Sequence, residues 1–148
     1  MKKLLIIGGG ASGIVAGIYA KKRGLDVTIL EKNNEVLKKL LLTGNGKCNY
    51  FNEYFDETKI NSENKELAKM IFSEDNINEA KNFFENIEIV PKVKNGYCYP
   101  FANNSYCMKE SLINEAESCG VKIKTNIFVN TIERKSNKFI VNNDYECD

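Results

Sequence analysis

The sequence predicts an α/β fold built on one parallel βαβ unit, with helices, a hairpin and an antiparallel meander after it. Three observations predict it. The apolar run Leu4-Leu5-Ile6-Ile7 leads straight into Gly8-Gly9-Gly10-Ala11-Ser12-Gly13. A helical stretch, Ile14 to Arg23, is followed by Gly24 and a second apolar run, Val27-Thr28-Ile29-Leu30, that ends at Glu31. Past residue 52 the pattern changes to short helices and paired strands, unlike the regular β–α alternation of a simple doubly wound sheet.

Each part of the first unit has a physical role. Leu4 to Ile7 is apolar throughout, as a parallel strand covered on both faces is. Gly8 makes the tight turn out of the strand. Gly10 lets backbone approach a pyrophosphate with no Cβ between, and Gly13 lets the helix pack close. Gly17, four residues on, extends that close contact. The helix N-terminus offers free N–H groups and about half a positive charge to a phosphate. Glu31 stands near the expected offset of ~20 residues, where a carboxylate accepts ribose hydroxyls. An acid there favours a free ribose over a 2′-phosphate. The unit therefore predicts a dinucleotide site.

Composition narrows the partners. The 148 residues are one domain's worth of chain, and 43% hydrophobic content supplies a core. A net charge of +1 gives no general pull toward nucleic acid or membrane, and neither is expected as a partner. Charge is uneven, however. Residues 1–52 carry 9 basic and 3 acidic side chains and residues 53–88 carry 4 and 10, so the first segment is the one suited to an anionic cofactor. The five cysteines (Cys48, Cys98, Cys107, Cys119, Cys147) form no CxxC pair, which points to reduced thiols and a cytoplasmic setting. With no histidine, Ser-His and Cys-His machinery within this chain is excluded, and no metal site is expected. The apolar run after Met1-Lys2-Lys3 is too short for a signal-peptide core of ~7–15 residues, and no stretch reaches the ~20 needed to span a bilayer.

Along the remaining chain, Lys32 to Lys39 reads as a polar loop with one helical turn. Leu40-Leu41-Leu42-Thr43 then enters a second glycine loop, Gly44 to Asn49. It is not a phosphate loop of the Walker type, because Leu41 stands at its first glycine position and Cys48 where Ser or Thr would hold magnesium. On pattern alone it reads equally as a hairpin turn or a ligand loop. Tyr50 to Asn64 reads as an irregular connection. Helices are expected at Lys65 to Phe72 and Ile77 to Asn86, the second with Ile77, Ala80, Phe84 and Ile87 on its packing side. Ile87 to Val93 reads as an edge strand because of Pro91, Asn95-Gly96 as a hairpin turn and Tyr97 to Phe101 as the returning strand. Ser105 to Ser118 reads as a helix closed by Gly120. Val121 to Lys124, Ile127 to Ile132 and Phe139 to Val141 read as strands, the last two joined by Ser136-Asn137.

These residues carry a family resemblance. Gly8-Gly9-Gly10-Ala11-Ser12-Gly13 with Glu31-Lys32, and above all Lys39-Leu40-Leu41-Leu42-Thr43-Gly44-Asn45-Gly46-Lys47-Cys48-Asn49, resemble the BaiN-like family of bacterial NAD(P)/FAD-dependent oxidoreductases, two-dinucleotide-binding-domain flavoproteins. The likeness extends through Tyr99-Pro100 and Gly120-Val121-Lys122-Ile123. It implies a Rossmann-like FAD-binding sheet formed by residues 1–52 and 120–148, with residues 53–119 inserted. Family chains are far longer, which implies an N-terminal portion stopping inside a β-meander, inactive alone and prone to self-association through an unpaired edge. Carried over, Gly8, Gly10, Ala11, Ser12 and Gly13 cradle the pyrophosphate, and Glu31 meets the adenosine ribose with Lys32 beside it. Thr43, Gly44, Asn45, Gly46, Lys47, Cys48 and Asn49 lie toward the flavin, and the Val129 backbone meets the adenine. Leu37 stands where the family has glycine, and Phe51 where it has threonine.

The resemblance implies a FAD-dependent oxidoreductase acting on an unidentified small molecule, with NAD(P)H as a candidate reductant. An NAD-binding reductase domain and a non-catalytic nucleotide-binding or RNA-modification accessory module are the alternatives. No residue here earns the role of catalytic acid or base. Cys48 reads either as a redox partner activated by loop amides or as a small side chain filling space, and the lack of a nearby second cysteine in sequence favours the filler.

Overall fold

The N-terminal apolar run forms β1 (Lys3–Ile7), the glycine turn leads into α1 (Ala11–Lys22), and the second run forms β2 (Asp26–Leu30). The computed structural model describes residues 1–54 and 57–148. A broken 3₁₀ segment, Leu40–Gly46, precedes the two-residue β3 (Phe51–Asn52). Then come α2 (Lys65–Ile71), α3 (Glu74–Asn86), β4 (Pro91–Lys94), β5 (Tyr97–Pro100) and α4 (Ser105–Ser118). The chain closes with β6 (Lys122–Lys124), β7 (Ile132–Lys135), β8 (Lys138–Val141) and β9 (Tyr145–Cys147). Of the irregular connection expected at Tyr50 to Asn64, residues 55 and 56 lie outside the described residues.

The first sheet is parallel, in the order β1-β2-β6. Leu4 pairs with Val27, Ile6 with Ile29, and Ile29 with Ile123. Val27, Ile29 and Leu30 of the central strand are buried, as their apolar run requires. The inner side of α1 carries Gly13, Ile14, Gly17 and Ile18, all buried. A Cβ on Gly17 would sit 3.1 Å from Ile29 Cδ1, so the small residue sets how closely the helix approaches the sheet. Met108, Leu112 and Ala116 of α4 join Ile14 and Ile18 in one apolar cluster. Lys22 and Glu115 close that helix pair with a 2.6 Å ion pair.

Two antiparallel sheets follow, β3-β5-β4 and β7-β8-β9. Asn95-Gly96 turns between β4 and β5, with positive φ at both residues as such a hairpin requires. Ser136-Asn137 turns between β7 and β8. β9, which no alternation announces, ends against β1: the Asp148 amide donates to the Lys3 carbonyl at 3.1 Å.

Two expected strands are shorter than their patterns. Pairing of the Ile87 to Val93 stretch begins only at Pro91, because Ile87 and Ile89 donate to Phe83 and Phe84 at the end of α3 and bury their side chains there. Pairing of the Ile127 to Ile132 stretch begins only at Ile132. The Ile127 amide donates to the Glu31 carbonyl, and the Asn142 side chain takes the amides of Asn130 and Thr131. Among the described residues, no helix is long and apolar enough to cross a membrane.

Candidate functional site

The carboxyl ends of β1, β2 and β6 lie along one edge, which is where open parallel sheets bind ligands. Backbone bonds tie the three exits together. The Gly8 amide donates to the Leu30 carbonyl at 2.8 Å, and the Glu31 amide to the Lys124 carbonyl at 2.9 Å.

The glycines of the first loop serve different needs. Gly8 turns at φ 100, a region other residues rarely enter. A Cβ on Gly13 would stand 2.1 Å from the Gly8 carbonyl oxygen, so this glycine lets the helix seat on the turn itself. A Cβ on Gly9 would meet Val36 Cγ1 at 2.3 Å. On Gly10 a Cβ would meet nothing within 4 Å. Gly10 is therefore the glycine the fold does not need, and open space stands where its side chain would be.

Gly10 is also the N-cap of α1 and has no side chain to close the helix. At α2, α3 and α4 the side chains of Asn64, Ser73 and Asn104 accept an N-terminal amide. The first turn of α1 holds no acid either. Its donors and positive dipole end thus face the opening without an internal anion, as a phosphate site requires.

Glu31 is buried, with 7% exposure, and its carboxylate is already engaged. Oε2 accepts from the Gly9 amide at 2.7 Å, and Oε1 from the Asn33 amide at 2.8 Å and the Asn33 side chain. Burial pushes this carboxyl up, but the donors of Asn33 and Gly9 and the charge of Lys32 outweigh it and hold it below the usual range. Four lone-pair sites less three donors leave one for a ribose hydroxyl, where two hydroxyls were expected.

Two hollows open on this edge. One, of about 570 Å³, is lined by the predicted residues Gly10, Ala11, Ser12, Thr43, Cys48 and Asn49. The other, of about 250 Å³, is lined by Gly9, Gly10, Glu31 and Lys32. Gly10, Leu37 and Lys39 belong to both, so they form the ridge where the hollows meet. Gly44, Asn45, Gly46 and Lys47 do not line either hollow. They form an outer turn with positive φ at 44, 45 and 46, and it closes through the Cys48 amide on the Thr43 carbonyl at 3.0 Å. Gly8 and Gly13 line neither hollow. Val129 sits half-buried in the 125–131 loop, whose Ile127 amide reaches Glu31.

Residues without a chemical signature complete the larger hollow: Val15, Leu37, Tyr50, Phe84, Met108 and Leu112. Phe84 reads from sequence as packing, and Met108 and Leu112 are apolar residues of an expected helix; only the fold shows that all three face a cavity. Leu37 occupies a left-handed conformation, φ 62, at 2% exposure. Glycine, which the resemblance implies at this position, would adopt that conformation without strain. Tyr50 packs on Phe84 at 4.6 Å between ring centroids, and burial, with Cys98 and Glu85 nearby, pushes its phenol up to about 12. It is a neutral hydrogen-bonding group at any physiological pH.

Cys48 is 4% exposed, and burial raises its thiol above the ordinary value despite a hydrogen bond with Thr43. The activation by loop amides that a redox role would need is not what this environment provides. Among the described residues, no cluster of metal-binding side chains occurs.

Comparison with known proteins gives consistent results. The family model described as the HI0933-like protein Rossmann domain matches residues 2–147. The chain is 36% identical over 146 residues to the 3-dehydro-bile acid delta(4,6)-reductase of Clostridium scindens, covering 97% of this chain and 36% of that protein. It is 31% identical over 65 residues to the ribosomal RNA dihydrouridine synthase of Escherichia coli, covering 44% of this chain and 16% of that protein. The 3-ketosteroid-delta4-(5alpha)-dehydrogenase of Rhodococcus jostii, solved with 4-androstene-3,17-dione, superposes with a TM-score of 0.69 at 14% identity, covering 99% of this chain and 43% of that one. That last likeness concerns the fold alone. The chain spans only part of the length of the curated relatives it matches.

Proposed function

The chain belongs to the HI0933-like Rossmann domain family, and on that premise we propose that it is the FAD-binding N-terminal part of a flavin-dependent oxidoreductase. One observation carries the reading: two hollows of unequal size meet at Gly10, directly before the uncapped N-terminus of α1. An extended dinucleotide has this shape, with two groups joined through a pyrophosphate.

In this reading the pyrophosphate crosses Gly10 and meets the first-turn donors of α1 at Ala11, Ser12 and Gly13. The smaller hollow takes the adenosine side, with one lone pair of Glu31 for a ribose hydroxyl, Lys32 at the rim and the Val129 backbone on the adenine. The larger hollow takes the flavin side. Thr43, Cys48 and Asn49 stand along it, and the turn from Gly44 to Lys47 holds their loop. Bound there, the flavin would supply hydride-transfer chemistry. The protein's part is to orient it and to exclude water with Val15, Phe84, Met108 and Leu112. Residues 1–52 and 120–148 form the dinucleotide-binding part in this proposal, and α4, from the inserted segment, completes the cavity wall. The substrate is a small molecule, NAD(P)H the candidate reductant, the setting cytoplasmic. The exposed strand β7, with Ile132 on it, offers an edge for self-association.

The test is a visible spectrum after adding FAD and removing the excess by gel filtration. Retained bands near ~375 and ~450 nm, as a bound flavin shows, support the reading. Colourless protein whose melting temperature rises with NAD and not with FAD would replace it with a nicotinamide site.

A further inference from the structure

The walls of the larger cavity come from segments far apart in sequence. One wall is the stretch after β2, with Leu37, Lys39 and Leu40; the other is α4, with Met108 and Leu112. Two polar links fasten them. Ser105 Oγ donates to the Leu41 carbonyl at 3.1 Å. Lys109 Nζ donates to Glu35 Oε2 at 2.6 Å. Ser105 and Lys109 are four residues apart, on one side of the helix.

The second link is the unusual one. The Lys109 side chain is 7% exposed and its partner Glu35 is 42% exposed. A buried ammonium is costly unless it is paired, so the segment carrying Glu35 is tied to the place where Lys109 sits. The Tyr106 ring, 5.6 Å from Nζ, is a further favourable contact for the ammonium. The neighbours of Glu35 brace the first glycine loop. Val36 Cγ1 fills the space over Gly9, and the Leu37 amide donates to the Gly9 carbonyl at 2.8 Å. Displacement of Glu35 is thus transmitted within two residues to Gly9, and from there to Gly10 at the ridge.

We propose that the Lys109–Glu35 pair is a positioning device for this cavity, setting the distance between α4 and the segment that braces the glycine loop. The dinucleotide reading supplies the ligand; the geometry stands without it. Lys109 lines neither hollow and acts through Glu35, Val36, Leu37 and Met108, whereas Glu35 itself stands in the wall of the smaller hollow.

The test compares the wild-type chain with Lys109→Met, Lys109→Arg, Glu35→Gln and the Lys109→Met/Glu35→Gln double variant, all well below their melting temperatures. Two quantities are read: amide hydrogen exchange over residues 33–42, and the FAD dissociation constant from flavin fluorescence. Lys109→Met is expected to speed exchange at Leu37 while leaving the interior of β2 unchanged. It should also weaken FAD binding by about tenfold, the scale of coupling within one ion-pair network. Lys109→Arg should restore both, and the double variant should lose less than the two single losses combined. Unchanged exchange at Leu37 in Lys109→Met overturns the proposal. So does faster exchange with unchanged FAD affinity, or an equal loss in Lys109→Arg. If Lys109→Met does not fold, hydrogen exchange at Leu37 in Glu35→Gln decides, because Glu35 lines the smaller hollow and its effect on FAD affinity would mix contact with positioning. If the wild type binds no FAD, the cofactor reading falls and exchange alone decides the positioning role: faster exchange supports it and unchanged exchange overturns it.

Discussion

Replacing Gly10 with alanine separates what the fold needs from what a ligand needs. Gly10 has φ −75 and ψ 178, an extended conformation open to any residue, and its Cβ would touch nothing within 4 Å. At such a position Gly→Ala gains about 0.4–1 kcal/mol, because the unfolded chain has less freedom to lose, but at an N-cap alanine is poorer than glycine by a similar amount. At ~2–4 °C per kcal/mol for a domain of this size, the two offset and the melting temperature should stay within about 4 °C of the wild type. The new methyl would stand on the ridge between the two hollows. A dinucleotide lying across it must shift or be overpacked, at about 1–3 kcal/mol, which is about 5- to 150-fold in dissociation constant. The assay is a thermal melt of the ligand-free protein beside a fluorescence titration with FAD. Gly13→Ala is the control. Its Cβ would lie 2.1 Å from a backbone oxygen, so it should lower the melting temperature although alanine is the better helix former by ~1 kcal/mol. Gly10→Ala with unimpaired FAD binding would refute the placement of the pyrophosphate, and a fall in melting temperature as large as that of Gly13→Ala would refute the open space.

The other predictions concern single side chains. Leu37→Gly relieves a left-handed conformation worth ~1–2 kcal/mol but empties a buried leucine site worth ~2–5, so urea titration should show a net loss of about 1–3 kcal/mol; a gain would refute the burial. Glu31 is held below its usual range when folded, so its stabilisation is complete above the unfolded carboxyl value of ~4.3 and is lost as pH falls through the lower folded value. The stability gap between wild type and Glu31→Gln should therefore be wide at pH 7 and shrink in acid, and a gap independent of pH would show that the carboxylate charge is not used. Cys48, buried and with a raised thiol, should resist brief iodoacetamide at neutral pH and react after denaturation; rapid labelling of the native protein, read by peptide mass, would restore the redox reading.

The elements read correctly are those whose reasons are local. The βαβ unit follows from two apolar runs and a glycine turn within 31 residues. α4 follows from its helical stretch and from Gly120, with φ 84, just past its end; the Asn104 cap at its start is added by the structure. The stretches at 87–90 and 127–131 have strand composition but do not form strands, because other partners claim backbone donors: the end of α3, at Phe83 and Phe84, for the first, and Glu31 and the side chain of Asn142 for the second. The first is a local competition between helix end and strand that composition does not resolve, and only the second depends on partners remote in sequence.

The site divides along the same line. Gly10, Ala11 and Ser12, which line the larger hollow, are legible as candidates because what a phosphate would require of a helix N-terminus falls on consecutive residues. The far wall is not, since Met108 and Leu112 look like core and line the cavity only after α4 has crossed back onto the second loop. Leu37 shows how the two kinds of information combine. Its departure from the glycine the resemblance implies is visible in the sequence, but the cost of that departure is set by φ 62, and the compensation by burial in a cluster that draws on α1, the second loop and α4. Gly9 is the converse case. The motif explains it as one of three glycines in a row, while the structure explains it through Val36, whose methyl occupies the space a side chain would need. The first glycine loop, the proposed ligand contact, is therefore shaped by aliphatic side chains with no chemistry of their own. Substitutions on the inner face of α4 should thus alter binding while leaving every motif residue in place.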